Sequence, residues 1–82
     1  MKKGKIDEAI EECRTAIRCD PRDATAHTIF GYILAGKGRL DEAIEQYQEA
    51  IRSVPNHVEA HLNLGAAMGS KGQIGYAITE FR

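Results

Sequence analysis

Three histidines, two cysteines and twelve carboxylates are the groups in this 82-residue chain best suited to chemistry, and their spacing decides what they can do. His57 and His61 stand four apart at the start of a helical segment, on one face, a spacing that can hold a transition metal. No cysteine or third histidine falls beside them in the repeat geometry described below. His61 therefore reads as a packed residue at a helix interface, as His27 should be, and His57 as a solvated residue ahead of the helix. No metal site and no cofactor are expected. Cys13 and Cys19 lie on one helical segment, separated by about 9 Å of rise and pointing in different directions, so they cannot bridge without unwinding it. They read as small apolar fillers. Glu8, Glu11, Glu12, Glu42, Glu45 and Glu49 recur on outer helix faces, where partners such as Arg52 for Glu49 make a solvated charged surface. Gly36-Lys37-Gly38 lacks phosphate-loop spacing and a preceding strand. Nothing pairs an activated nucleophile with a base. No catalytic residues, and no enzyme, are expected.

Composition narrows the remaining classes. Hydrophobic residues make up 43% and charged residues 28% of the chain, ordinary for a globular protein of one small domain. The formal net charge of -1 argues against a surface built for phosphate backbones, so no nucleic-acid partner is expected. No apolar run approaches the roughly 20 residues of a membrane span, and no membrane partner is expected. The basic start, Met1-Lys2-Lys3-Gly4-Lys5, is not followed by an apolar stretch and is no signal peptide. Together with two unpaired thiols, this favours a reducing, cytoplasmic setting.

The elements that position these groups are read from an internal repeat. Shifted by 34 residues, the chain matches itself at 18 of the 48 pairs the shift allows. Lys3-Gly4 falls on Lys37-Gly38 and again on Lys71-Gly72. Asp7-Glu8-Ala9-Ile10-Glu11 falls on Asp41-Glu42-Ala43-Ile44-Glu45, Pro21 on Pro55, Ala26-His27 on Ala60-His61, and Gly31 on Gly65. Such a period belongs to solenoids. Within a unit, residues 23–35 place Ala26, Ile29, Phe30, Ile33 and Leu34 at helical spacing, ending at two glycines that permit a turn. Residues 40–53 place Leu40, Ala43, Ile44, Tyr47, Ala50 and Ile51 on one face, with acids early and Arg52 late, as the helix dipole favours. Pro55 forbids continuation. The result is an antiparallel hairpin, and hairpins stack. Gly31 and Gly65, mid-helix at a cost of about 1 kcal/mol each, and Ala9, Ala43 and Ala77 predict close helix approach, with Phe30, Leu64, Tyr47 and Phe81 filling the space between.

Phe30-Gly31, Leu34, Gly38, Ala43, Tyr47, Ala50 and Pro55, repeated as Leu64-Gly65, Met68, Gly72, Ala77 and Phe81, resemble the tetratricopeptide repeat over nearly the whole chain. His27 and His61 stand where the family often has tryptophan. Gly75 replaces the acid of Asp7 and Asp41, which predicts weaker helix initiation there. The resemblance implies an all-α, right-handed superhelical stack of five helices in a single domain. Residues 5–20 are the second helix of a preceding repeat, 23–55 a full repeat and 57–82 a truncated one. It implies a protein-interaction scaffold holding a protein or peptide in a concave groove lined by Thr25, Thr28, Ile29, Tyr32, Glu59, Leu62, Asn63 and Ala66, with Tyr32 as its large anchor. Some family members clamp a C-terminal carboxylate with lysines, an arginine and asparagines. Only Asn63 matches here, with Thr28 and Tyr32 where a lysine and an asparagine would be wanted, so no such clamp is expected. The alternative is a self-associating assembly module, a homo-oligomer formed by end-to-end stacking of uncapped ends.

Overall fold

The computed structural model describes residues 4–80, with side chains through residue 72. Its elements are four helices: α1 (Lys5–Cys19), α2 (Ala24–Gly36), α3 (Leu40–Ser53) and α4 (Val58–Glu80). Each boundary has a local cause. Asp23 caps α2 by accepting from the Ala26 amide at 3.0 Å. Helix α2 ends in a Schellman turn, in which Arg39 N–H donates to the Leu34 carbonyl at 2.9 Å and Gly38 N–H to that of Ala35 at 3.0 Å. That turn needs a left-handed residue, and Gly38 supplies it at φ 82°. After α1 and α3 the chain turns at Pro21 and Pro55 through matching bonds, Asp23 N–H to the Asp20 carbonyl and His57 N–H to the Val54 carbonyl, both 3.0 Å.

Alanines set the helix spacing. Ala43, Ala50 and Ala60 are fully buried. Ala24, Ala50 and Ala60 meet where α2, α3 and α4 converge, while Leu34, Ala43, Tyr47 and Ala67 form the larger cluster, backed by Phe30, Leu40, Ile44 and Leu64. Gly31 is the point of closest approach. A Cβ built there would lie 2.6 Å from Tyr47 Cε1 and 3.1 Å from the Ala43 carbonyl oxygen, so the Tyr47 ring occupies the space a side chain would need.

The expected fifth helix is absent among the described residues, because α4 runs without interruption through Gly69-Ser70-Lys71-Gly72, where the repeat predicts a turn. A glycine costs a helix only about 1 kcal/mol, and a helix satisfies its own backbone, whereas a hairpin turn is stabilised by what packs beyond it. Gly75 offers no acidic start for a new helix. In consequence Gly65, the repeat equivalent of Gly31, faces open space, with nothing within 4 Å of a Cβ built on it. The expectation of close approach at Gly65 therefore fails in this conformation. The packing expected of Ala77 and Phe81 lies outside the described side chains.

Candidate partner-binding groove

Helices α2 and α4 lie side by side behind α3, and the valley between them is bordered by Thr28, Ile29, Tyr32, Glu59 and Asn63, with a volume near 340 Å³. Two further depressions adjoin it. One of about 230 Å³ lies between α1 and α2 and shares Ile29; the other, about 200 Å³, continues toward Ser70 and shares Tyr32 and Asn63. Ile29 and Tyr32 thus join three depressions into one concave strip along α2. Tyr32 is 68% exposed and borders two of the three depressions.

Seven of the eight expected lining residues border this strip. Thr28 is 2% exposed and its hydroxyl donates to the Ala24 carbonyl at 2.8 Å, so it forms part of the floor and offers no free donor. Thr25 borders the α1 end with Ile29, and Ala66 the opposite end with Tyr32. Leu62, although exposed, borders none of the three depressions. The sequence pattern places the lining on first helices alone and misses Ala9, Glu12, Cys13 and Ala16 of α1. The repeat register carries the missing signal. These four are the equivalents of Ala43, Gln46, Tyr47 and Ala50, the residues of α3 that pack toward α2 and α4. Among the described residues, the strip's ionisable carboxylates are Glu12, Asp23 and Glu59, and no lysine or arginine borders it.

The three histidines singled out for chemistry make structural hydrogen bonds. His27 is buried and closes the loop before its own helix: Nε2 donates to the Pro21 carbonyl at 2.8 Å, and Nδ1 meets the Gln46 side-chain amide at 2.7 Å. A carbonyl only accepts, so Nε2 carries the proton. His61 repeats the clamp on the Pro55 carbonyl at 2.7 Å, but it is exposed. His57 takes the place of Asp23 as a cap, its Nδ1 accepting from the Ala60 amide at 3.2 Å. Each of the two closely spaced histidines thus commits one ring nitrogen to the backbone. Among the described residues no three histidines, cysteines or carboxylates gather as metal ligands would. Burial pushes the Cys13 thiol above its ordinary value, and the Glu12 and Asp23 carboxylates push it further, which disfavours the nucleophilic thiolate. Cys13 and Cys19 are both free. No helix among the described residues is long and apolar enough to cross a membrane.

Comparison with known families agrees with this architecture. A family model described as a TPR repeat matches residues 31–72, just over half of the chain, and one described as a tetratricopeptide repeat matches residues 12–45. A comparison with curated proteins found no match. The hairpin of α2 and α3, the Gly31–Tyr47 contact and the matched segments lead to one conclusion: the chain belongs to the tetratricopeptide repeat family.

Proposed function

We propose that this chain is an interaction scaffold that holds a peptide segment of a partner protein along the strip centred on Ile29 and Tyr32. Tetratricopeptide repeats generally mediate protein–protein interaction and are typically non-enzymatic. The observation that carries the finer reading is the continuity of the three depressions through one exposed tyrosine, a residue type that anchors interfaces. The flanking Glu12 and Glu59 favour a partner with an apolar residue against Tyr32 and a basic one beside it; an acidic C-terminal tail would meet like charge. We read α1 as the second helix of a repeat, α2 with α3 as a full repeat, and residues 57–82 as the start of the next. In this register the α1 end of the strip is the seat that α2 takes one repeat later.

Selection of binders from a random peptide display library tests the proposal. Enriched peptides should combine an apolar anchor with lysine or arginine, and Tyr32→Ala should weaken them by about tenfold or more. Unchanged affinity in Tyr32→Ala would reject the groove. The second reading, self-association, is favoured by the open space at Gly65 and the exposed Met68 on the opposite face of α4.

A further inference from the structure

We infer that the depression between α1 and α2 is the docking seat of a partner protein's helix, which sets a bulky apolar side chain against Cys13 and, one turn before it, a lysine or arginine against Glu12. The inference deepens the groove reading and rests on it for the source of the helix, because the seat is the α1 end of the same strip. Its volume is about 230 Å³. Ala9, Glu12, Cys13 and Ala16 line it from α1, and Thr25 and Ile29 from α2. One repeat later these positions are Ala43, Gln46, Tyr47 and Ala50 of α3, and Glu59 and Asn63 of α4. Those residues flank α2. Tyr47 meets Gly31, Gln46 meets His27, Ala50 packs with Ala24, and Glu59 and Asn63 share a valley with Thr28 and Tyr32. The fold thus contains one copy of this seat with a helix in it. The open copy has the same two walls, so it suits a helix antiparallel to α1.

The two seats differ at the positions that choose the occupant. Cys13 replaces Tyr47, so the space that the ring fills beside Gly31 is open beside α1. A helix seated there needs its own bulk at the Gly31 place. Glu12 replaces the carboxamide of Gln46, and Asp23 stands where His57 does, so two carboxylates border the open seat with no lysine or arginine beside them. Both lie close enough to Cys13 to raise its thiol. A cation at the His27 place, four residues before the bulky side chain, meets Glu12 as His27 meets Gln46. Ile29 replaces Asn63, which makes the facing wall apolar.

Size also rejects a second copy of this chain as the occupant. Its α2 is already seated against α3 and α4. Its α4 carries Gly65 at the decisive place, and Gly65 against Cys13 sets small against small and leaves the space unfilled. The seat therefore selects a helix of different sequence, large where α2 and α4 have glycine and basic where they have histidine.

Fluorescence anisotropy of labelled synthetic peptides titrated with the full chain tests this. The parent peptide carries residues 20–37, the sequence of the helix that fills the occupied seat. Its Gly31→Leu form should bind about tenfold more tightly or better. Adding His27→Arg should gain about a further twofold to fivefold at low salt, a gain lost in a Glu12→Gln chain. In a Cys13→Tyr chain, shown by circular dichroism to be folded, the order should invert, because a ring then stands where the leucine was seated. Comparing the two chains cancels the peptide's own change in helix propensity. The wild-type and Glu12→Gln titrations decide the matter without that variant. Equal affinities of the parent and Gly31→Leu peptides for the wild-type chain, no binding by either, or a leucine preference that survives Cys13→Tyr each overturns the inference. Tyr32 does not border the seat, so Tyr32→Ala should leave these affinities unchanged, and a loss there would place the peptide elsewhere on the strip and overturn it too. The groove reading, by contrast, falls only on Tyr32→Ala with the library peptides.

Discussion

Gly31 and Gly65 occupy one repeat position, and the same substitution should act on them with opposite sign. An alanine Cβ at Gly31 would sit 2.6 Å and 2.8 Å from Cε1 and Cδ1 of Tyr47, well inside van der Waals contact. The ring is 1% exposed and wedged in the main cluster, so it cannot swing into solvent without opening that cluster. The Ala43 carbonyl, 3.1 Å away, is backbone and yields least. Overpacking of this kind costs about 1–3 kcal/mol, against a helix-propensity gain of about 1 kcal/mol for replacing glycine. Gly31→Ala should therefore lose up to about 2 kcal/mol. At Gly65 nothing lies within 4 Å, so Gly65→Ala should gain up to about 1 kcal/mol in dilute, monomeric protein. Urea denaturation followed by far-ultraviolet circular dichroism gives both values at micromolar concentration. Pairing Gly31→Ala with Tyr47→Leu should recover part of the loss, since the two changes share one space. Shifts of the same sign and size at both glycines would refute the packing account.

Three further outcomes follow from the described side chains. His57→Asp restores the cap found at Asp23 and adds a negative charge at the start of α4, so it should raise stability by about 0.5–1 kcal/mol in the same assay; a loss would mean His57 is not the cap. Cys13 and Tyr47 are both raised in the fold, chiefly by burial, above ordinary values of 9.0 and 10.0. A folded state that holds its protons more tightly has their full stabilisation below those values. It loses it as pH rises from about 9 through the folded values, so the urea midpoint should fall there, and a midpoint constant into strong alkali would exclude the effect. Near neutral pH, Cys13 should react with iodoacetamide far more slowly than the exposed Cys19, and equal rates would contradict its burial.

What the sequence makes legible is whatever each repeat carries within itself. The 34-residue period, the α2–α3 hairpin, a glycine turn between its helices and close approach at Gly31 follow from residue types and spacing; the Schellman bonding of that turn and Tyr47 as the ring that meets Gly31 come from the structure. The errors lie where one repeat depends on another. Gly65 and Gly31 are the same letter in the same register, yet only Gly31 meets a ring, because α3 folds back over α2 while α4 continues as one unbroken helix. Whether Gly72 turns or stays helical is decided by packing beyond it, which local pattern does not contain. Thr28 has the place of a groove donor on α2, but burial beside α4 leaves its hydroxyl only the Ala24 carbonyl. His27 reads as a packing residue, and its burial agrees. Its hydrogen bonds to Pro21 and Gln46 depend on loop geometry that spacing does not reveal.

The most direct test of the central claim is a nuclear magnetic resonance titration of the labelled chain with a selected apolar and basic peptide. The account predicts chemical-shift changes concentrated at Ile29, Tyr32, Glu59 and Asn63, lost in Tyr32→Ala, with the outer acids Glu8, Glu42 and Glu45 silent. Changes centred on those outer acids and surviving Tyr32→Ala would contradict it.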